Sequence, residues 1–257
     1  MWDPAVYHRF GNERSRPFFD LAGRIGAEKP RSVVDLGCGP GELTATLAAR
    51  WPEARVAGLD SSPEMIAKAR AVDTTVEFAV ADLREWQPGP ETDVVISNAA
   101  LQWVEGHEAL IGRWARALPS GAWFAMQVPG NFDAPSHRAL RAIARSAPYA
   151  DTVGQIVREA PVDDAAGYAA LLTAAGAAVD AWETTYVHLL PEVAGADHPV
   201  LRWMEGTALR PVRAALDDAA WHDFRAALGA RLAAEYPARS GFVAFPFRRI
   251  FVVATIA

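Results

Sequence analysis

Strand-like and helix-like patterns alternate along most of this chain of 257 residues. Apolar runs predict seven strands, which are the segment ending at Leu36 and residues 55–59, 76–81, 93–98, 122–128, 179–190 and 242–256. Apolar positions at helical spacing predict helices over residues 17–26, 42–50, 62–71, 105–118, 136–146, 165–175, 198–209 and 217–235, whereas 148–161 has neither pattern. The alternation indicates an α/β fold with a mostly parallel sheet and right-handed crossovers.

A glycine-rich turn follows the first predicted strand, and a helix begins at Glu42. Glycines at 37, 39 and 41 permit a sharp turn and a close approach to a ligand, because no Cβ stands in the way. In a doubly wound sheet such a turn places a cofactor at the carboxyl end of the first strand. The G-x-G-x-G spacing alone is also compatible with nicotinamide or flavin cofactors.

Acidic residues near the strand ends narrow the choice of cofactor. The second strand ends on Asp60, which can bind the ribose hydroxyls of either NAD or S-adenosylmethionine. Asp35 lies just before the glycine turn, where a carboxylate is unfavourable beside pyrophosphate but favourable beside a sulfonium and an ammonium group. Asp82 and Leu83 follow the third strand and can read an adenine edge. The pattern favours S-adenosylmethionine, with a nicotinamide oxidoreductase as the alternative.

Taken together, the motifs of residues 31–130 resemble the class I S-adenosylmethionine-dependent methyltransferases. The resemblance implies a Rossmann-like fold with a mostly parallel seven-stranded sheet, helices on both faces, a last strand antiparallel to the fifth, and a helical lid over the substrate. It divides a single domain, residues 1–257, into an N-terminal lid segment (1–30), a cofactor-binding core (31–130) and helical insertions (131–178 and 191–241). The implied cofactor-binding residues are Asp35, Gly37, Cys38, Gly39, Gly41, Asp60, Ser61, Met65, Asp82, Leu83, Asn98 and Ala99.

Composition limits the class of partner. The net charge of −6 and the isoelectric point near 5.5 argue against a nucleic-acid or anionic-membrane surface. The single cysteine excludes an intrachain disulfide, and no Cys/His set has zinc spacing. The N-terminal stretch has no apolar signal core, and no run reaches transmembrane length. We expect a cytoplasmic, soluble, metal-free protein that acts on a small molecule as a monomer or weak homo-oligomer.

The end of the fourth strand, Asn98-Ala99-Ala100-Leu101, bears on the methyl acceptor. It lacks the Asn/Asp-Pro-Pro-aromatic loop that holds a planar nitrogen, and the chain has no paired-carboxylate metal site for a catechol. A carboxylate acceptor is already ionised and needs no general base. Arginines would hold it, and the candidates are Arg14, Arg16, Arg210, Arg213, Arg248 and Arg249. Arg248 and Arg249 point to opposite faces of the last strand, and we favour Arg249.

Further motifs from end to end of the chain resemble the trans-aconitate 2-methyltransferase family. They include Trp2-Asp3-Pro4 and the segments 13–17, 59–65, 97–104, 127–131, 182–188, 206–211 and 245–251. The resemblance implies monomethyl esterification of trans-aconitate or a related small polycarboxylate, with S-adenosylhomocysteine as by-product. The predicted substrate-orienting residues are Tyr7, Phe10, Arg14, Arg16, Trp103, Asn131, Tyr186, His188, Arg210 and Arg249. A malonyl-carrier-protein methyltransferase and a module that binds S-adenosylmethionine without turnover remain alternatives.

Overall fold

A computed structural model describes residues 15–72 and 75–257 of the chain. Its seven strands form one sheet in the order β3-β2-β1-β4-β5-β7-β6. They are β1 (Ser32–Leu36), β2 (Arg55–Asp60), β3 (Glu77–Val80), β4 (Thr92–Asn98), β5 (Trp123–Pro129), β6 (Ala177–Pro191) and β7 (Phe242–Ile256). The predicted α/β fold class is therefore confirmed.

The pairing of the strands places a reversal of strand order at β1. β1 pairs in parallel with β2 on one side and with β4 on the other, while β2–β3 and β4–β5 are also parallel. β7 is antiparallel to β5, with Trp123 opposite Thr255 and Pro129 opposite Arg249. The strand order reverses at β1, and doubly wound sheets bind ligands beyond the carboxyl ends of the strands at such a point.

The helices largely follow the predicted pattern. They are α1 (Arg16–Ala22), α2 (Glu42–Arg50), α3 (Pro63–Ala69), α4 (His107–Ala117), α5 (Pro135–Ala144), α6 (Ala150–Val153), α7 (Ala165–Ala174), α8 (Pro199–Glu205), α9 (Arg210–Ala215) and α10 (Asp218–Glu235). Ser62 caps α3, because its hydroxyl accepts the backbone N–H of Met65 at 3.3 Å.

Two predictions about local structure were wrong. Residues 148–161, which carry no helical pattern, contain the single turn α6. The helix predicted over 198–209 ends at Glu205, and α9 begins at Arg210. Pro211 explains the break, because its ring would clash with a carbonyl one turn earlier if the helix continued through it.

The chain divides into two compact units. The first contains the described residues up to Pro129, together with Val162–Thr184 and Arg249–Ala257, and the second contains Gly130–Pro161 and Thr185–Arg248. Residues 162–178, the end of the predicted insertion 131–178, lie in the first unit. The reason is the packing of α7 on α4, where the Tyr168 hydroxyl lies 2.6 Å from His107 Nε2 and both side chains are buried.

Each unit has its own apolar core. In the first unit, one face of the sheet packs against α4 and α7, with Trp114 and Tyr168 fully buried, and α1 packs against β4 and β5. In the second unit, α10 buries its apolar stripe against α5, α8 and the first half of β7, with Phe224 and Leu228 completely enclosed. Across residues 15–72 and 75–257, no helix combines the length and apolarity needed to cross a membrane.

Candidate functional site

The turn between β1 and α2 contains three glycines in the left-handed region, with φ values of 81° at Gly37, 56° at Gly39 and 88° at Gly41. A Cβ at Gly37 would lie 2.2 Å from the Cβ of Ala100, so this position tolerates no side chain. A Cβ at Gly39 would meet no atom of the described residues within 4 Å. Gly39 therefore presents open backbone that a ligand can approach closely.

Asp60 at the end of β2 fixes the glycine turn. Its Oδ2 accepts the backbone N–H of Gly39 at 3.0 Å, and its Oδ1 accepts that of Ser62 at 2.8 Å. One carboxylate thereby links the turn to the start of α3, while Ser61 between them is exposed. An acid held in this way can also bind the hydroxyl pair of a ribose.

Asp35 is buried inside β1, and its Oδ2 accepts the Thr44 hydroxyl at 2.6 Å. Burial raises the pKa of this carboxyl to about 7, the nearby charge of Asp60 also raises it, and the Thr44 hydrogen bond opposes the shift. A cation beside Asp35 would favour its ionised form. The neighbouring Cys38 has a thiol whose pKa is raised, mainly by burial, and it therefore remains protonated.

The loop after β3 differs from the simple adenine-reading site that the sequence suggests. Arg84 binds the Asp82 carboxylate through its Nε at 3.0 Å and its Nη2 at 2.5 Å, and these hydrogen bonds hold the pKa of Asp82 at about 2. Leu83 lies in the core of the first unit, and Met65 on α3 is half-buried. Any role of Asp82 in binding adenine must therefore accommodate Arg84.

The end of β4 adopts an unusual backbone conformation. Ala99 has a φ of 56°, which is rare for a residue with a Cβ. Its N–H donates to the Gln127 carbonyl at 2.9 Å, and its own carbonyl accepts Gln102 Nε2 at 2.6 Å. The half-buried Asn98 has a side-chain oxygen with no hydrogen-bond partner in the described part of the chain. Such constrained backbone is typical of functional sites.

Arg249 is buried in the first unit, at 7% exposure, and its Nη1 donates to Gln127 Oε1 at 3.4 Å. Gln127 is fully buried within β5. The sequence pattern assigns no role to Gln127. The informative signal was its amide within the otherwise apolar strand 122–128, because a buried polar side chain needs a partner.

The second unit holds four of the predicted substrate-orienting residues. Asn131 is buried and accepts the backbone N–H of Arg248 at 2.5 Å. Tyr186 and His188 are buried on β6, and the His188 ring stacks on Trp203 with centroids 4.8 Å apart. Arg210 is exposed at the start of α9.

The remaining predicted residues are at the surface or outside the described residues. Arg16 is exposed and pairs with Asp20 at 3.8 Å, and Trp103 is 56% exposed in the turn after β4. Tyr7, Phe10 and Arg14 lie outside the described residues. Arg213, another candidate from the sequence, forms an ion pair with Asp218 at 2.5 Å. We find no cluster of His, Cys, Asp and Glu suited to a metal ion within residues 15–72 and 75–257.

The geometry at the carboxyl ends of β1, β2 and β4 fits S-adenosylmethionine. Gly39 leaves room for close approach, and Asp60 is placed for ribose hydroxyls. Asp35 and the Asn98 side-chain oxygen, which lacks a partner among the described residues, are acceptors for positively charged groups. The fold and this donor and acceptor set define a class I S-adenosylmethionine-dependent methyltransferase.

Comparisons with known proteins agree with this class. A family model described as a methyltransferase domain matches residues 33–121. Phosphoethanolamine N-methyltransferase 2 of Haemonchus contortus, solved in complex with S-adenosyl-L-methionine, shares the fold, with a TM-score of 0.54 and 16% identity over 98% of this chain and 56% of that one.

Two full-length relatives identify the family. Trans-aconitate 2-methyltransferase of Mycobacterium sp. (strain KMS) is 55% identical over 99% of this chain and 99% of that protein. The enzyme of the same name from Rhodococcus jostii (strain RHA1) is 52% identical over all of both chains. The chain belongs to the trans-aconitate 2-methyltransferase family, and its predicted cofactor is confirmed as S-adenosylmethionine.

Proposed function

We propose that this protein transfers the methyl group of S-adenosylmethionine to a carboxylate oxygen of trans-aconitate and forms a monomethyl ester. The observation that supports this most directly is the buried guanidinium of Arg249. A guanidinium binds a carboxylate through two parallel hydrogen bonds, and burial strengthens that interaction. The family to which the chain belongs gives the same assignment of substrate.

The chemistry asks little of the protein beyond binding and orientation. S-adenosylmethionine, when bound, supplies a methyl group that is already activated on a sulfonium. Asp35 and Asn98 would hold the positive groups of the cofactor, and Asp60 its ribose. No residue needs to remove a proton, because a carboxylate acceptor is ionised at neutral pH. Arg249 would orient the acceptor, and the apolar surroundings would exclude water.

Other residues would add donors for the remaining carboxylates. In the second unit these are Asn131, Tyr186, His188 and Arg210, and nearer the N-terminus they are Tyr7, Arg14 and Arg16. Phe10 would close the N-terminal lid with Tyr7, and Trp103 would form a wall of the pocket. We also propose that the insertions 131–178 and 191–241 supply a helical lid over the substrate, and that the protein works in the cytoplasm as a monomer or weak homo-oligomer.

Methyl transfer from labelled S-adenosylmethionine tests the proposal. The acceptor panel contains trans-aconitate, cis-aconitate, citrate, isocitrate and a malonyl thioester, and mass spectrometry identifies each product. We expect the monomethyl ester of trans-aconitate to form fastest. A preference for the malonyl thioester would contradict the proposal and favour a carrier-protein methyltransferase. Cofactor binding without transfer to any acceptor would favour a module without turnover.

A further inference from the structure

The side-chain amide of Gln127 is buried, and only its oxygen has a hydrogen-bond partner among the described residues. Its Oε1 accepts a hydrogen bond from Arg249 at 3.4 Å. Since a guanidinium can only donate, the amide oxygen must face Arg249, and this fixes which end of the amide is the nitrogen. That nitrogen, Nε2, has no hydrogen-bond partner among residues 15–72 and 75–257. A buried donor without a partner is costly, which makes the nitrogen a candidate contact for a ligand.

The sheet register places Gln127 within a polar row. Gln127 is opposite Asn98 on β4 and opposite Phe251 on β7. Paired residues share a face of the sheet, and so do residues two apart along a strand. Asn98, Gln127 and Arg249 therefore project from the same face.

The same reasoning adds an acid to one end of this row. Asp35 is opposite Ile96, which lies two residues before Asn98 on β4. The four side chains therefore run across the sheet as carboxyl (Asp35), amide (Asn98), amide (Gln127) and guanidinium (Arg249). The acid belongs to the cofactor end of the row, and the guanidinium marks an end suited to an anion. Gln127 lies between the methyl donor's residues and the arginine.

We propose that Gln127 is a specificity-determining residue that binds the acceptor directly. Its Nε2 donates a hydrogen bond to a carboxylate oxygen of the substrate, while its Oε1 keeps Arg249 oriented toward the same carboxylate. This inference rests on the proposed function, because it assumes that the acceptor is a polycarboxylate.

Two substitutions separate the contributions of Gln127. Gln127→Glu keeps the shape and the acceptor for Arg249 but removes the donor and repels a carboxylate. Gln127→Met keeps the length and removes both contacts without adding charge. Gln87→Glu is the matched control, because Gln87 is an exposed residue of the first unit and the substitution adds the same charge.

The readout is equilibrium binding. Trans-aconitate is titrated calorimetrically into protein saturated with S-adenosylhomocysteine. We expect the dissociation constant to rise about 10- to 100-fold in Q127E, as for loss of a hydrogen bond to a charged group, and about 10-fold in Q127M. The affinity of Q127E and Q127M for S-adenosylhomocysteine should stay within about threefold of the wild-type value, a margin below 1 kcal/mol. The affinity of Q87E for trans-aconitate should stay within the same margin.

Substrate analogues add a second test. Three dicarboxylates each lack a different carboxyl group of trans-aconitate. The dicarboxylate that lacks the carboxylate bound by Gln127 should bind equally well to Q127E and to the wild type. If the substitution weakens all three dicarboxylates alike, Gln127 acts through the fold and the inference is wrong.

Failure of the inference can be told apart from failure of the proposed function. Equal affinity of wild type, Q127E and Q127M for trans-aconitate overturns the role of Gln127, even if the ester forms. Absence of ester with normal binding contradicts the proposed function alone. If trans-aconitate does not bind to the wild-type complex, both are wrong. Loss of S-adenosylhomocysteine binding in both variants also overturns the inference, because Gln127 would then be structural.

Discussion

At the scale of single residues, Asp60 shows how one side chain can organise a binding turn. Both of its oxygens accept backbone N–H groups, one from Gly39 and one from Ser62. A carboxylate oxygen has two lone pairs, so each oxygen can accept a further hydrogen bond from a ligand. Asp60 therefore need not release the turn in order to bind a ribose.

Asp35 is expected to make the stability of the ligand-free protein dependent on pH. The pKa of this buried carboxyl is about 7 in the folded chain, against an ordinary value of 3.8. At about pH 2 it is protonated in both states, so burial carries no charge penalty. As pH rises from 4 to 7, the unfolded state loses its proton first, and stability falls by about 4 kcal/mol in total.

Substitution of Asp35 tests this dependence. Asp35→Asn keeps an acceptor for the Thr44 hydroxyl and should remove the decline, as measured by urea unfolding between pH 4 and pH 8. Thr44→Val removes the hydrogen bond that favours the charged form, so the decline should extend above pH 7. Parallel pH profiles for wild type and D35N would contradict the assignment.

Arg249 is expected to act on the substrate and leave the cofactor unaffected. Arg249→Met should raise the KM for trans-aconitate about 10- to 100-fold, because a hydrogen-bonded charge is lost. The KM of the Arg249→Lys variant should lie between those of the Arg249→Met variant and the wild type, since lysine keeps the charge but lacks the bidentate fork of a guanidinium. Steady-state kinetics and calorimetry with S-adenosylhomocysteine provide the measurements.

Arg213→Met is the control for Arg249, because Arg213 forms a surface ion pair with Asp218 and should change the KM little. A parallel loss of S-adenosylhomocysteine binding in R249M would indicate a structural role instead.

At the scale of elements, substitutions in the glycine turn should affect stability and cofactor affinity separately. Gly39→Ala should lower the free energy of unfolding by about 1–2 kcal/mol, because the backbone at this position is left-handed. It should also weaken the binding of S-adenosylhomocysteine by about tenfold or more, because the new methyl group occupies open space that faces the ligand. Gly121→Ala is the control, because Gly121 also has a left-handed φ, of 82°, and no described atom within 4 Å of its Cβ, but lies before β5. Urea unfolding should find similar losses in both variants, and only G39A should bind the cofactor weakly. Equal cofactor affinity would contradict the role of Gly39.

The accuracy of the sequence predictions depended on whether the information was local. Strands such as 242–256 were predicted to the residue because long apolar runs mark them. The Asp82–Arg84 pair was missed, because the turn that brings the two side chains together leaves no periodic pattern. Gln127 was also missed, since its partner Arg249 lies 122 residues away along the chain. The placement of α7 in the first unit likewise depends on a distant contact between Tyr168 and His107.

At the scale of the whole molecule, the first unit depends on the last strand. The predicted cofactor-binding residues all precede residue 100, but β7 covers the edge of β5 with buried residues such as Ile250 and Val252. Truncation after residue 241 would expose the edge of β5 and remove part of the core. We expect residues 1–241 to lose cooperative unfolding and S-adenosylhomocysteine binding, as measured by circular dichroism and calorimetry. Normal binding by this fragment would show that β7 is dispensable for the cofactor site.

The contact between Gly37 and Ala100 also restricts how this family can change over time. The two residues belong to the turns after β1 and β4, and only the absent Cβ of Gly37 lets them meet. Replacing Ala100 by glycine would relieve the crowding but not the left-handed backbone at position 37, so no single compensating substitution opens this position. A library randomised at positions 37 and 100 and selected for folding should retain glycine at 37 and only small residues at 100. The same selection should accept many side chains at position 39 until ligand binding is imposed as well.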